Sequence, residues 1–214
     1  RVSRVLELIE PETLAVELPP LAMPLFEQYA DEPHRPPRLG GEMSAAIQGT
    51  DSPAIGIDAP TRRYFSRLVE RVRAERPSRR VVGRLVRDLA SAVGHALACR
   101  VASVAADYTP LRLRVYDPIV HSCSLVDTPH VQAADERAFL DRRDALFRAV
   151  RPPTSTRLID GAREAAMSDL LDRARREGSV IAVVGMEHLD DVEADLRRAA
   201  ADDELPSASD TESK

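Results

Sequence analysis

The chain has no tryptophan, only four tyrosines and four phenylalanines, and a single lysine, Lys214. With so few large rings its core must be filled by Ala, Val, Leu and Ile, which suffices for one domain at a length of 214 residues. Two cysteines, Cys99 and Cys123, are too few for a disulfide framework, so a reducing, cytoplasmic setting is expected. No run of 18 or more apolar residues occurs. The nearest approach, Ala90 to Ala106, is interrupted by Gly94, His95 and Arg100, and the chain is not expected to span a membrane. Also missing are G-x-S-x-G, a Walker loop, G-x-G-x-x-G and H-E-x-x-H. Their absence removes the commonest hydrolase, nucleotide-binding and zinc-protease readings.

What is present is charge. Charged residues make up 30% and apolar residues 43% of the chain, and 35 acids outweigh 30 bases to leave a net charge of −5. This is a globular composition, and its preference for arginine and acids fits a high-GC, salt-adapted source, since acidic surfaces keep proteins soluble when salt screens repulsion. The charge is uneven. From Arg62 to Arg87 ten arginines face only Glu70 and Glu75, a local charge of +8. Such a stretch suits phosphate groups or an anionic membrane surface. Its only aromatics are Tyr64 and Phe65 and no nucleic-acid motif accompanies it, so no nucleic-acid partner is expected, and solvated helix faces are the plainer explanation.

The pattern of elements is α/β. Val2, Val5, Leu6 and Ile9 mark one face of a short helix stopped by Pro11, and Thr13 to Leu18 reads as a buried strand ended by Pro19-Pro20. Asp31 to Gly41 is a loop, Glu42 to Ile47 opens a helix, and Ala54 to Asp58 is a second strand. Pro60 is placed in the first turn of a helix carrying Tyr64, Leu68 and Val72, and a longer helical region spans Ser78 to Ala105. Asp107 to Pro129 has no clear period beyond one short strand at Leu111 to Val115. Two helices then follow, one with Phe139, Leu140, Leu146, Phe147 and Val150, the next with Ala166, Leu170, Leu171 and Ala174, closed by Gly178 as its C′ residue. Ser179 to Val184, a β-branched run between glycines, is the best candidate for a central parallel strand, and Leu189 to Ala200 is the closing helix. These elements predict a small, mostly parallel sheet flanked by helices in one domain over 1–201, with a mostly helical insertion at 77–157 and a disordered acidic tail at 202–214.

Several side chains could carry chemistry. Gly185-Met-Glu-His188 follows a buried strand and precedes a helix, where open α/β sheets place ligand-binding residues. His188 there would bind a divalent metal or act as a base; the alternative is a part in starting the helix beside Asp190 and Asp191. Glu17 is a carboxylate inside the apolar run LAVEL and wants a cation, a metal or donors, unless the nearby prolines leave it at an exposed strand end. Glu42 opens a helix after a Gly-Gly turn, as a dipole-favoured acid would. Asp58 and Arg63 read as a strand-end acid followed by a helix-start cation. His121, Cys123 and His130 fit no zinc spacing, and Cys99 reads as core packing.

Three segments in order, Val2 to Gln28, Gly40 to Leu68 and Ser179 to Leu196, resemble the TraB/PrgY family, related to Tiki and to erythromycin-esterase-like/ChaN-like proteins. They look like its helix, strand with an acid and helix; its Gly-Glu segment with strand, Asp and arginine-bearing helix; and its last strand with G-x-x-H. Arg143-Asp144 looks like a degenerate form of its acidic-Arg-Asn/Asp helix motif, without the methionine that follows. The resemblance implies an erythromycin-esterase-like/ChaN-like fold and a hydrolytic site of two G-x-x-H motifs and two glutamates. The second G-x-x-H maps on Gly185 and His188, and the glutamates on Glu17 and Glu42. The first should lie in a strand before Val2, and because the chain opens at Arg1 rather than Met, a preceding segment is expected to be missing. So a metal-dependent hydrolase, with a peptide or small-molecule substrate, is expected. His188, Glu17 and Glu42 would hold a divalent ion such as Mn²⁺, with Glu42 or Glu17 assisting catalysis. The alternative is a non-catalytic regulator that sequesters a peptide signal or binds a membrane partner, with a membrane location if an anchor lies outside this chain.

Overall fold

The computed structural model describes residues 2–108, 127–128, 130–132, 134–135, 137–138 and 153–204. The strand expected at Leu111 to Val115, the helix carrying Phe139 to Val150 and Arg143-Asp144 lie outside these residues. Helix α1 (Val2–Ile9) leads through Glu10, whose φ of 47° turns the chain, into strand β1 (Thr13–Val16). Helices α2 (Met23–Ala30) and α3 (Gly41–Gln48) follow, then strand β2 (Ala54–Gly56). Helices α4 (Arg62–Glu75) and α5 (Arg79–Tyr108) come next, and the chain re-enters at α6 (Thr154–Arg175) before β3 (Val180–Val183) and α7 (Met186–Glu204).

The fold is mixed α/β and mostly helical, around a three-stranded parallel sheet of order β2-β1-β3. The register sets Leu14 beside Ala54 and Ile181, and Val16 beside Gly56 and Val183. The central strand is therefore β1, not the Val180–Val183 run favoured by composition. Leu14, Ala15 and Val16 are 0% exposed because strands flank them on both sides, whereas β3 has one described neighbour and is only half-buried. The alternation of β1 divides the core. Leu14 and Val16 pack with Leu6, Leu25, Phe26, Tyr29 and Cys99 on one face of the sheet, whereas Ala15 meets Met167, Leu171 and Val192 of α6 and α7 on the other. A third cluster, with Tyr64, Leu68, Leu85, Leu158 and Ala162, joins α4 and α5 to α6.

Four local expectations shift. Thr61, not a residue of the first helical turn, caps α4, its Oγ1 accepting the Tyr64 N–H at 3.1 Å, which leaves Pro60 outside the helix. The C-cap of α6 is Arg176, and Gly178 serves instead as the place where the Glu12 carboxylate comes close enough to accept the Ser179 N–H at 2.7 Å. Helix α7 begins before His188 and runs past Asp202, where Asp203 accepts hydrogen bonds from Arg175 and Arg176. Finally, α5 is long and apolar enough from Arg79 to Ala106 to cross a membrane by length and composition alone. One face of it packs into the core through Leu85, Ala96, Cys99 and Ala102.

Candidate functional site

The C-terminal edge of the sheet gathers ionisable side chains from four elements. Glu17 follows β1 and keeps the ladder going, its N–H donating to Val183 O at 3.0 Å. Asp58 follows β2, its N–H donating to Leu18 O at 3.1 Å. His188 sits in the first turn of α7, and Arg163 and Glu164 project from α6, which crosses this edge. Loops after parallel strands converge here, the edge where open α/β sheets place ligand-binding residues.

Arg163 is the hub. Its Nε donates to Asp58 Oδ1 at 2.8 Å, and its Nη2 donates to Asp58 Oδ2 at 2.8 Å and to Glu17 Oε1 at 2.9 Å. The fork geometry of guanidinium suits this bridge between two strand ends. Burial works against the charged guanidinium, but the hydrogen bond and charge of Asp58, with Glu17 and Asp160, hold its pKa above the ordinary arginine value. The other Glu17 oxygen accepts the Gly185 N–H. A Cβ at Gly185 would stand 2.9 Å from that oxygen and 3.1 Å from Glu187 Oε2, so the glycine of G-x-x-H lets the Glu17 carboxylate approach the backbone closely.

His188 is 3% exposed. Its Nδ1 lies 3.0 Å from Glu164 Oε1, whereas Nε2 lies 3.6 Å from Glu17 Oε1 and has no hydrogen-bond partner among the described residues. Burial penalises the imidazolium, and Arg163 opposes it. The Glu164 hydrogen bond and the charges of Glu17 and Glu164 outweigh both, leaving the pKa raised. Around this pair burial raises the pKa of Asp160 and Asp191 from the ordinary aspartate value; Arg163 and His188 oppose the rise at Asp160, and neighbouring acids reinforce it at Asp191. The buried Tyr64 hydroxyl is pushed up to about 12 by desolvation, partly offset by Arg163 and reinforced by Asp58.

The structure thus brings Glu17, Asp58, Gly185 and His188 together and leaves two expected residues apart. Glu42 is exposed in the first turn of α3, with no hydrogen bond or ion pair to Glu17 or His188 among the described residues. Arg63 reaches Asp169 at 3.6 Å, so the cation of Asp58 is Arg163. Among the described residues no group of three His, Cys, Asp or Glu side chains is placed to hold a metal ion. His121 and Cys123 lie outside the described residues. Cys99 packs in the core, its thiol pushed up by burial.

Arg163 and Glu164 were not foreseen. The signal was there: an Arg-Glu pair set among Leu158, Ala162, Ala166 and Met167, all buried, must itself face inward or straddle the core boundary. Two surface cavities among the described residues lie elsewhere, one of about 610 Å³ lined by Glu27, Asp31, Glu32 and Asp51, the other of about 400 Å³ between α4, α6 and α7.

Fold and site together define a mostly helical α/β protein with a buried acid, arginine and histidine cluster at the C-terminal edge of a parallel sheet. No family model, curated protein or solved structure matches this chain.

Proposed function

We propose that the chain is a hydrolase of TraB-like type, in an erythromycin-esterase-like/ChaN-like fold, acting on a peptide or small-molecule bond at the His188 corner. One observation carries the reading: His188 is gripped through Nδ1 by Glu164 while Nε2, buried beside Glu17, has no hydrogen-bond partner among the described residues. A carboxylate on Nδ1 fixes the tautomer that leaves Nε2 basic, the arrangement a general base needs. In the proposed step Nε2 takes a proton from water, the resulting hydroxide attacks the substrate carbonyl, and the imidazolium returns the proton to the leaving group. Glu17 stabilises the imidazolium, and Arg163 holds Glu17 and Asp58 in register.

The metal of the expected site was a Mn²⁺-like ion on His188, Glu17 and Glu42. The arrangement does not fit it, since Glu17 Oε1 already takes a guanidinium N–H at 2.9 Å and Glu42 stands apart. No step is routed through it. The non-catalytic regulator is favoured by a different observation: His188 Nε2 is buried, and neither of the two surface cavities described above is lined by His188.

The test is to assay the purified chain against peptide and ester panels, with metal content measured on the same sample. Glu164→Gln should reduce the rate about 100-fold or more while the fold is kept, and His188→Ala should abolish it. Activity that survives both changes would sink the hydrolase reading, and a folded chain inert to the whole panel favours the regulator.

A further inference from the structure

Helix α5 is apolar on two sides. Its inner side carries Leu85, Ala96, Cys99, Ala102 and Ser103 into the core, and Gln28 Nε2 fastens it by donating to Ser103 O at 3.1 Å. Its outer side is a second stripe, Val82, Val86, Leu97, Val101, Val104 and Tyr108, all exposed, with Val86 at 60% and Val101 at 68%. At helical pitch this stripe is about 39 Å long. Scattered exposed apolar residues need no explanation, but a stripe of this length, carried between Val86 and Leu97 by exposed Ala90 and half-buried Val93, marks an interaction surface.

Charge says what covers it. Arg79, Arg80, Arg84 and Arg87 are exposed at the N-terminal end of the same helix, and no ion pair engages them among the described residues. On the helix surface Arg79 continues the stripe, Arg80 and Arg87 border one edge and Arg100 the other, while Asp88 lies outside it. An apolar stripe edged by arginines is the pattern of a helix lying in a bilayer interface, its apolar side chains among the acyl chains and its guanidiniums on lipid phosphates. A second copy of the chain explains less, because parallel pairing of equal stripes would set the arginine ends against one another and antiparallel pairing would cover the apolar side chains without giving the arginines an anionic partner.

We infer that the outer face of α5 docks the protein, lying flat, on an anionic lipid bilayer. It lies along the membrane and not through it, because its inner face is already committed to the core. The inference is independent of the hydrolase reading, since it uses none of the residues at the sheet edge.

The experiment is co-sedimentation of the full chain with phosphatidylglycerol–phosphatidylcholine vesicles at low salt, against phosphatidylcholine alone. The expected result is selective binding to the anionic vesicles. Leu97→Asp with Val101→Asp should weaken it at least tenfold, and Arg79→Gln with Arg80→Gln should do the same, each arginine near an anionic surface contributing about fivefold. All four substituted residues are exposed, and equal thermal midpoints would certify folding. Four results would overturn the proposal. Two are no binding by the folded wild type, and binding that neither variant weakens. Another is a lipid-free dimer that Leu97→Asp splits, which assigns the stripe to a second copy. The last is a Val101→Cys thiol shielded from reagent in the lipid-free monomer, which assigns it to the chain's own residues 109–152.

Discussion

Arg163 holds two part-buried carboxylates from the ends of two strands, and its side chain is only 23% exposed. Removing one member of such a cluster leaves uncompensated charge in low dielectric, so Arg163→Ala should cost about 3–5 kcal/mol of unfolding free energy. Arg163→Lys should recover only part of this, because a point ammonium cannot reproduce the fork that grips both Asp58 oxygens. Urea unfolding of the two variants checks both values; a loss under 1 kcal/mol for Arg163→Ala would show the cluster to be well solvated. The sequence pointed to Glu17 as a residue needing a cation, for a carboxylate in LAVEL is visible by eye. It could not say which of the 29 arginines answers, and the nearest candidates along the chain, such as Arg63, are engaged elsewhere.

At the scale of elements, strand existence was legible and strand position was not. The run Val180–Val183 is richer in β-branched residues than Thr13–Val16, yet it takes the outer place in the described sheet. Hydrophobicity reports that a segment prefers burial, whereas the number of neighbours it acquires depends on connections elsewhere. The consequence is measurable. Leu14→Ala, at a fully buried central position, should lower stability by about 2–5 kcal/mol, while Ala182→Thr, at the exposed position of β3, should change it by less than about 0.5 kcal/mol. Denaturation midpoints decide, and a larger loss from the β3 change would mean that described exposure is covered in solution. Helix α5 shows the same limit: its length was legible, but which of its apolar sides faces the core was decided by α2 and α6.

For the whole molecule, stability should depend on pH through Tyr64, which is almost fully buried between α4 and α6. Its folded pKa is pushed from 10.0 up to about 12, so above pH 10 the unfolded chain releases the phenolic proton and the folded chain keeps it. Stability from this group is complete below pH 10 and is lost as pH rises toward 12, a fall of about 3 kcal/mol. Tyr64→Phe should flatten that part of the profile, as read from urea midpoints against pH, and an unchanged alkaline slope would remove Tyr64 from the account. Local rules settled a good deal of this molecule. Proline and glycine bounded the strands, periodicity placed α4 and the later part of α6, and a helix-start histidine after an apolar strand marked the sheet edge. What packing alone decided is the content of that edge: Arg163 reaches Asp58 across 105 residues and Glu17 across 146, and Glu42 stays out. The reason is physical. A residue's conformational preference and polarity are carried by its neighbours in sequence, but the partner of a buried charge is whichever opposite charge the folded backbone brings within a few ångströms, and no local pattern encodes that distance.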